Sequence, residues 1–246
     1  MQPAEYDNLA RIEATHWFYA GKRQIVRTWL QRCGALGPDR TLLDCGAGTG
    51  AFAAELASDC RVMVLDDHEE SIRRLRERFS PEQVLALSGD RIPLADASLD
   101  IVTALDVLEH VPDDRAVVRE FSRVVRPGGW VVITVPAFML LWSEWDEVLH
   151  HFRRYLQPQL AALFDPVHWR IEHINYTNTF AFPVVLFLRR GRGLLRKLGW
   201  GKTVRSEDHI PPGWINRLAR RLFVGPALRR WPMPFGVSLL LVAQRR

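Results

Sequence analysis

The sequence predicts an α/β protein with a doubly wound, mostly parallel sheet and an inserted helical, basic cap between the last two strands. Three observations predict it. Short apolar runs alternate with helical segments through the first two-thirds of the chain, the first run ends on an acid at a glycine-rich turn, and a long basic connection precedes a final apolar run. Two strand-helix units in a row argue a parallel sheet. With 246 residues, a single large core needs no disulfide or metal to fold.

The elements follow in order. Arg40 to Asp44 reads as a strand, and Ala51 to Ala57, after the glycine turn, as a good helix. Arg61 to Leu65 is a second strand ending on Asp66 and Asp67, with a polar helix from Ser71 to Phe79. Leu99 to Ala104 is the next strand, Pro112 to Val124 a helix, and Trp130 to Val135 a strand after the turn Pro127-Gly128-Gly129. A short helix over Gln159 to Phe164, a strand over Trp169 to Ile174 and a closing strand over Gly236 to Ala243 complete the series. The connection before the closing strand is too long for a loop, so its apolar run Phe180 to Leu188 and the basic residues after it are expected to be helical.

Charge is unevenly distributed. Of the net +5, residues 189–246 carry +12 and the rest of the chain −7. Such a field suits phosphate, anionic lipid or nucleic acid, with a solvated face rich in arginine as the competing reading. Cys33, Cys45 and Cys60 have no metal-ligand spacing and no disulfide pattern. With neither a signal peptide nor a spanning run, the expected location is cytoplasmic, with the inner face of a membrane as a peripheral alternative.

The turn Asp44-Cys45-Gly46-Ala47-Gly48-Thr49-Gly50 brings a backbone close to a ligand at a helix start. Its G-x-G-x-G spacing departs from the dinucleotide fingerprint, which disfavours NAD. Asp66, at the end of the second strand, is placed to accept hydrogen bonds from both hydroxyls of a ribose, with Asp67 as the alternative.

These residues carry a resemblance. The stretch from Leu42 to Pro136 resembles class I S-adenosylmethionine-dependent methyltransferases: Leu42 to Gly50 looks like their first motif, Val64-Leu65-Asp66 their ribose acid, and Gly89-Asp90-Arg91-Ile92-Pro93-Leu94 the segment beside the adenine. Asp100 to Val111 looks like the fourth motif and Arg126-Pro127-Gly128-Gly129 the turn before the fifth strand. The resemblance implies a seven-stranded Rossmann-like sheet and S-adenosylmethionine as cofactor, with S-adenosylhomocysteine as product. Carried over, Asp44, Gly46, Ala47, Gly48, Gly50, Asp66, Asp67, Asp90, Arg91 and Leu105 would bind it.

The flanks resemble one branch of the family. Glu13 to Phe18 with Gly21-Lys22-Arg23 resembles its N-terminal lid, and Trp142 to Tyr155 its motif after the fifth strand. The chain departs at Lys22, where arginine is commoner, and at His150, where glycine is commoner. The resulting division is a lid over 1–37, a cofactor-binding core over 38–175, a cap over 176–235 and a closing strand over 236–246.

Methyl transfer is an in-line displacement, so the protein chiefly aligns the reactants and needs a base only for a protonated nucleophile. His151 is the first candidate base, with Tyr155 and His16 as alternatives; a histidine that only bonds its own loop is the competing reading. Arg153 and Arg154 could fork onto a substrate carboxylate or phosphate, or pair with Asp146. Trp17, Phe18 and Trp142 could enclose a hydrophobic substrate or simply pack. No spacing of carboxylates and histidines compels a metal. The expected activity is methyl transfer to a small molecule that is hydrophobic, quinone-like or lipid-linked. A nucleic-acid methyltransferase is disfavoured, because Ala104-Leu105-Asp106-Val107 stands where base methylases carry an Asn/Asp-Pro-Pro-Tyr/Phe stretch. A protein that binds the cofactor without methylating is the third reading, and the oligomeric state is left open.

Overall fold

The computed structural model describes residues 3–87, 89, 91–197 and 210–246. In chain order they form α1 (Pro3–Ile12), α2 (Trp17–Arg32), β1 (Thr41–Cys45), α3 (Ala51–Leu56), β2 (Arg61–Asp66), α4 (Glu69–Arg78), β3 (Val84–Ala86), β4 (Leu99–Leu105), α5 (Asp114–Val124), β5 (Val125–Pro136), α6 (Glu144–Val148), α7 (Gln157–Ala161), β6 (Trp169–Thr177), α8 (Phe182–Lys197), α9 (Gly213–Ala227) and β7 (Ser238–Arg245). The seven strands make one sheet in the order β3-β2-β1-β4-β5-β7-β6. The first five are parallel, and β7 runs antiparallel between β5 and β6.

The expected doubly wound, seven-stranded sheet is therefore present. β3 is three residues long and only partly buried, so no apolar run marks it in the sequence. β5 begins at Val125 and carries the Pro127-Gly128-Gly129 turn inside it.

Side chains alternate across the strands and build two cores. Leu43, Val131, Ile133 and Leu241 face α5 and α7, where Val118, Phe121 and Leu160 meet them. Leu42, Val132, Leu240 and Val242 face the other way, onto Phe52 and Leu56 of α3, Val26 and Trp29 of α2, and Phe223 and Val224 of α9. Burial on both faces is why β1, β4 and β7 read as continuous apolar runs.

Within residues 1–37, α2 buries Ile25, Val26, Trp29 and Leu30 as a member of one helix layer. Only α1 and the turn before α2 are left to cover the sheet edge. Between β6 and β7 lie α8 and α9, and α9 belongs to the α2 layer: Trp29 Nε1 donates to the Ala227 carbonyl at 3.2 Å. Near the start of α9, Asn216 accepts from the Trp17 amide and donates to the Thr15 carbonyl, both at 2.8 Å.

Trp29 is fully buried and stacks on His173 of β6 at 4.1 Å between ring centroids. Trp29→Ala is expected to cost about 3–5 kcal/mol, read as a lower urea midpoint with an unchanged slope; a loss below about 1 kcal/mol would show that α2 is peripheral after all.

Candidate active site

Strands β1 and β4 are neighbours, but the chain leaving β1 enters α3 on one face and the chain leaving β4 reaches α5 on the other. A crevice opens where such a sheet reverses its winding, outside the carboxyl ends of the strands. Here it is a cavity of about 1110 Å³. That exceeds the roughly 300–1,000 Å³ typical of a single-ligand pocket, so it has room for two molecules.

The glycine turn forms one end of the cavity. The amides of Gly46 and Ala47 donate to the Leu65 carbonyl at 2.8 and 3.1 Å, and the Gly48 amide donates to Asp66 Oδ2 at 2.9 Å. Gly48 has φ 58° and open space where a Cβ would stand, so its backbone lies bare to the cavity. A Cβ on Gly46 would come within 2.5 Å of Val107. The turn is thus a cradle that fits a ligand pressed against backbone, with the Asp66 carboxylate at the end of β2 beside it.

Asp44 lies beneath, accepting a hydrogen bond from the Thr103 hydroxyl at 2.8 Å. Burial pushes its carboxyl up to about 7, with nearby Asp66 adding to the rise and the Thr103 bond opposing it. Ala47, Asp67 and Leu105 also line this end. Asp90 lies outside the described residues.

Two expected cofactor residues fall elsewhere. Gly50 does not line the cavity; a Cβ there would meet Phe79 at 2.6 Å and Leu75 at 2.8 Å, so this glycine lets α4 pack against the turn. Arg91 is exposed and lies 3.9 Å from Asp96, away from the cavity.

The segment before α2 closes over the turn. Glu13, which the motif reading quoted without a role, is buried and receives the Thr49 hydroxyl at 2.7 and 2.8 Å to its two oxygens. His16 lines the cavity, but its Nδ1 caps α2 by accepting from the Phe18 amide at 3.3 Å. Trp17 and Phe18 line the wall as expected, and Lys22 forms an ion pair with Asp106. Burial works to raise the Asp106 carboxyl, but Lys22 and the Thr134 hydroxyl outweigh it and leave it lowered.

The far end is organised by Asp146. Its Oδ1 faces His151 Nδ1 at 3.0 Å and accepts from Arg154 Nε at 2.7 Å, while its Oδ2 accepts from the Ser143 amide at 2.9 Å. Burial opposes ionisation there, yet these partners hold the carboxyl well below the usual range. His151, Arg154, Trp145 and Phe152 line the cavity. His150 takes φ 57°, the left-handed turn at which the resemblance expects glycine.

Three predicted site residues are turned away. Tyr155 is buried in the core and donates to the Leu108 carbonyl at 3.1 Å and to Asp114 at 2.8 Å; burial and Asp114 push its hydroxyl far up, so it is no proton acceptor. Arg153 pairs with Asp114 at 2.8 Å and donates to the Pro112 carbonyl at 2.7 Å. Trp142 is not part of the lining, and Trp145, one helical turn on, is.

The linear spacing gave no sign of a further group. Glu109 and His110, from the 3-10 turn Leu108–His110, meet His151 with one ligand atom from each within 4.8 Å of the others. Burial raises the Glu109 carboxyl well above its usual value, helped by Asp106. His110 is exposed overall, yet desolvation and nearby His151 lower it to about 4.

A parallel, doubly wound sheet with a glycine cradle and a ribose-type acid at its switch point defines a nucleotide-cofactor enzyme fold. A family model described as a methyltransferase domain matches residues 43–133. A Mycobacterium marinum protein named as an uncharacterized methyltransferase is 32% identical over 189 residues, covering 76% of this chain and 71% of that protein. A Mycolicibacterium smegmatis protein, named as a probable S-adenosylmethionine-dependent methyltransferase, is 30% identical over 165 residues, 65% of this chain and 62% of its own length. With two Mycobacterium tuberculosis relatives the match spans 43% of their length. A SAM-dependent methyltransferase structure from Thermotoga maritima has the same fold, with TM-score 0.61 at 16% identity over 99% of this chain and 96% of that one. The chain belongs to the class I S-adenosylmethionine-dependent methyltransferase family.

Two expectations follow. Asp66→Ala is expected to weaken S-adenosylhomocysteine binding by about 1–3 kcal/mol, and unchanged affinity in calorimetry would remove Asp66 from the cofactor site. Asp44 is an acid whose folded pKa lies above its unfolded one, so its stabilising share is complete below about 4 and is lost as pH rises to about 7. In cofactor-free protein, Asp44→Asn should therefore gain stability relative to wild type across that window, by about 4 kcal/mol at most. Parallel urea curves at pH 4.5 and 7.5 with a constant gap would refute this.

Proposed function

We propose that the chain binds S-adenosylmethionine in the glycine-turn end of the cavity and transfers its methyl group to a small, hydrophobic acceptor held at the other end. The observation that carries the reading is the continuity of the cavity, which runs without a break from Gly46, Gly48 and Asp66 to Trp145, His151 and Val185. Gly48 and Asp66 would hold the cofactor, Leu105 would pack against it, and Glu13 and Thr49 would close the turn over it. Bound there, the cofactor supplies an electrophilic methyl group on a sulfonium. The chain's own part is alignment and exclusion of water, for which an enclosing α1 and a largely apolar acceptor wall are suited.

A hydrophobic acceptor is favoured by α8. Ala181, Val185 and Arg189, in and just before this helix, line the cavity, while Val184, Phe187 and Leu188 on its other side are exposed, Phe187 at 79%. On α9, Trp214, Leu218 and Leu222 form a further exposed apolar stripe beside Arg217 and Arg221. An apolar face edged by arginines suits an anionic lipid surface. Such a surface would offer a lipid-linked or quinone-like acceptor at the cavity mouth. No helix among the described residues is long and apolar enough to cross a membrane. Similar proteins take chemically different acceptors: the chain is 36% identical over 109 residues, 41% of its length and 39% of the relative's, to a sarcosine/dimethylglycine N-methyltransferase of Halorhodospira halochloris.

Calorimetric titration should show one equivalent each of S-adenosylmethionine and S-adenosylhomocysteine binding at micromolar affinity; failure of both to bind overturns the proposal. His151→Ala should lower label transfer from methyl-tritiated cofactor into an isoprenoid and lipid extract about 10²-fold or more, with cofactor affinity retained. Equal transfer by the variant would remove His151 from the acceptor end. In flotation with phosphatidylglycerol-rich vesicles the intact protein should float, and the pair Phe187→Ser and Trp214→Ser should not. Protein that stays at the bottom of the gradient sinks the interfacial part.

A further inference from the structure

The acceptor end contains a cluster that cofactor binding does not use. Glu109, His110 and His151 each present a ligand atom within 4.8 Å of the other two, and all three line the cavity. Glu109 has no exposed surface, and neither of its carboxyl oxygens has a hydrogen-bond partner. A buried carboxylate in that condition is unfavourable unless a proton or a cation compensates it. The cationic side chains on the same cavity have other partners: Lys22 pairs with Asp106, Arg23 with Glu55, and Arg154 and Arg189 with Asp146.

His151 sets Nδ1 against Asp146 Oδ1 at 3.0 Å. That ring is anchored through one nitrogen, which leaves the other for a ligand. Histidines that bind metals are oriented in this manner, with the distal N–H on a carboxylate or a backbone carbonyl. The ring planes of His110 and His151 meet edge to face at 4.5 Å between centroids, so the two rings do not stack away the space between them.

We propose that Glu109, His110 and His151 bind one divalent transition-metal cation. Two imidazoles and one carboxylate suit Zn²⁺, Mn²⁺ or Fe²⁺ and disfavour Mg²⁺ and Ca²⁺, which prefer all-oxygen shells. Three protein donors leave coordination positions open for water or for a hydroxyl, carboxylate or phosphate oxygen of the acceptor. A cation there would acidify such a hydroxyl. His151 would then act as a metal ligand, and its replacement would still lower transfer. The site itself needs no S-adenosylmethionine, so it stands or falls apart from the methyl-transfer reading.

The test uses the full, untagged chain stripped with chelator and dialysed. Titration with Co²⁺ and Zn²⁺ should show one equivalent bound, with the visible absorption of nitrogen-ligated cobalt and without a thiolate charge-transfer band from Cys33. A large excess of Mg²⁺ should not displace it. Glu109→Gln and His110→Ala should each weaken Zn²⁺ binding at least tenfold, with S-adenosylhomocysteine affinity on the same preparations kept within about twofold. Wild-type protein that binds no cobalt, or variants that bind zinc as tightly as wild type, would overturn the proposal. If Glu109→Gln does not fold, His110→Ala and the wild-type cobalt spectrum decide it.

Discussion

Between β1 and β4 the chain reverses its direction of winding across the sheet, and the segments leaving these two neighbouring strands part to opposite faces. The gap between them is where backbone can meet a ligand without a helix in the way. The residues that matter at the cofactor end answer to this geometry. Gly46 must pass under Val107, Gly48 must stand bare, and Asp66 must hold the turn by accepting the Gly48 amide. Asp44, Asp66 and Asp106 all end strands at the same edge, which concentrates acid there; one is held protonatable by burial and another is matched by Lys22.

The far end of the cavity depends on Asp146 in a comparable way. With 1% of its surface exposed it gathers His151, Arg154 and the Ser143 amide, and Arg189 of α8 lies 3.4 Å away. A buried carboxylate with several donors is stable where a lone one is not. It therefore joins the segment after β5 to the start of the basic region, so one of the arginines that give the C-terminal part its charge is turned inward. Glu109, a short distance along the same cavity, has no such company, and the contrast between the two acids marks it for a ligand.

Much of the fold was legible in the residues. Apolar runs marked β1, β2 and β4, the first two ending on acids, because strands buried on both faces leave few polar positions to confuse the pattern. The glycine turn and Asp66 were legible for a local reason, since strand end, turn and helix start are contiguous. β3 was not, being short and half exposed. The motif residues of the N-terminal segment lie next to each other at Glu13 to Phe18, while the contacts that fasten this segment to α9 join residues some 200 positions apart.

The sequence by itself determined the class of sheet, the glycine turn at the crevice and the family, all of which rest on residues close together in the chain. Tertiary structure alone decided which members of the segment after β5 face the cavity: His151 and Arg154 do, Tyr155 and Arg153 do not. That segment has no regular period, so spacing says nothing of direction, and each side chain turns toward whichever partner the fold brings near. Asp114 takes Tyr155 and Arg153, Asp146 takes His151 and Arg154, and Glu109 with its neighbour His110 is brought to His151 by packing between elements that the sequence keeps far apart.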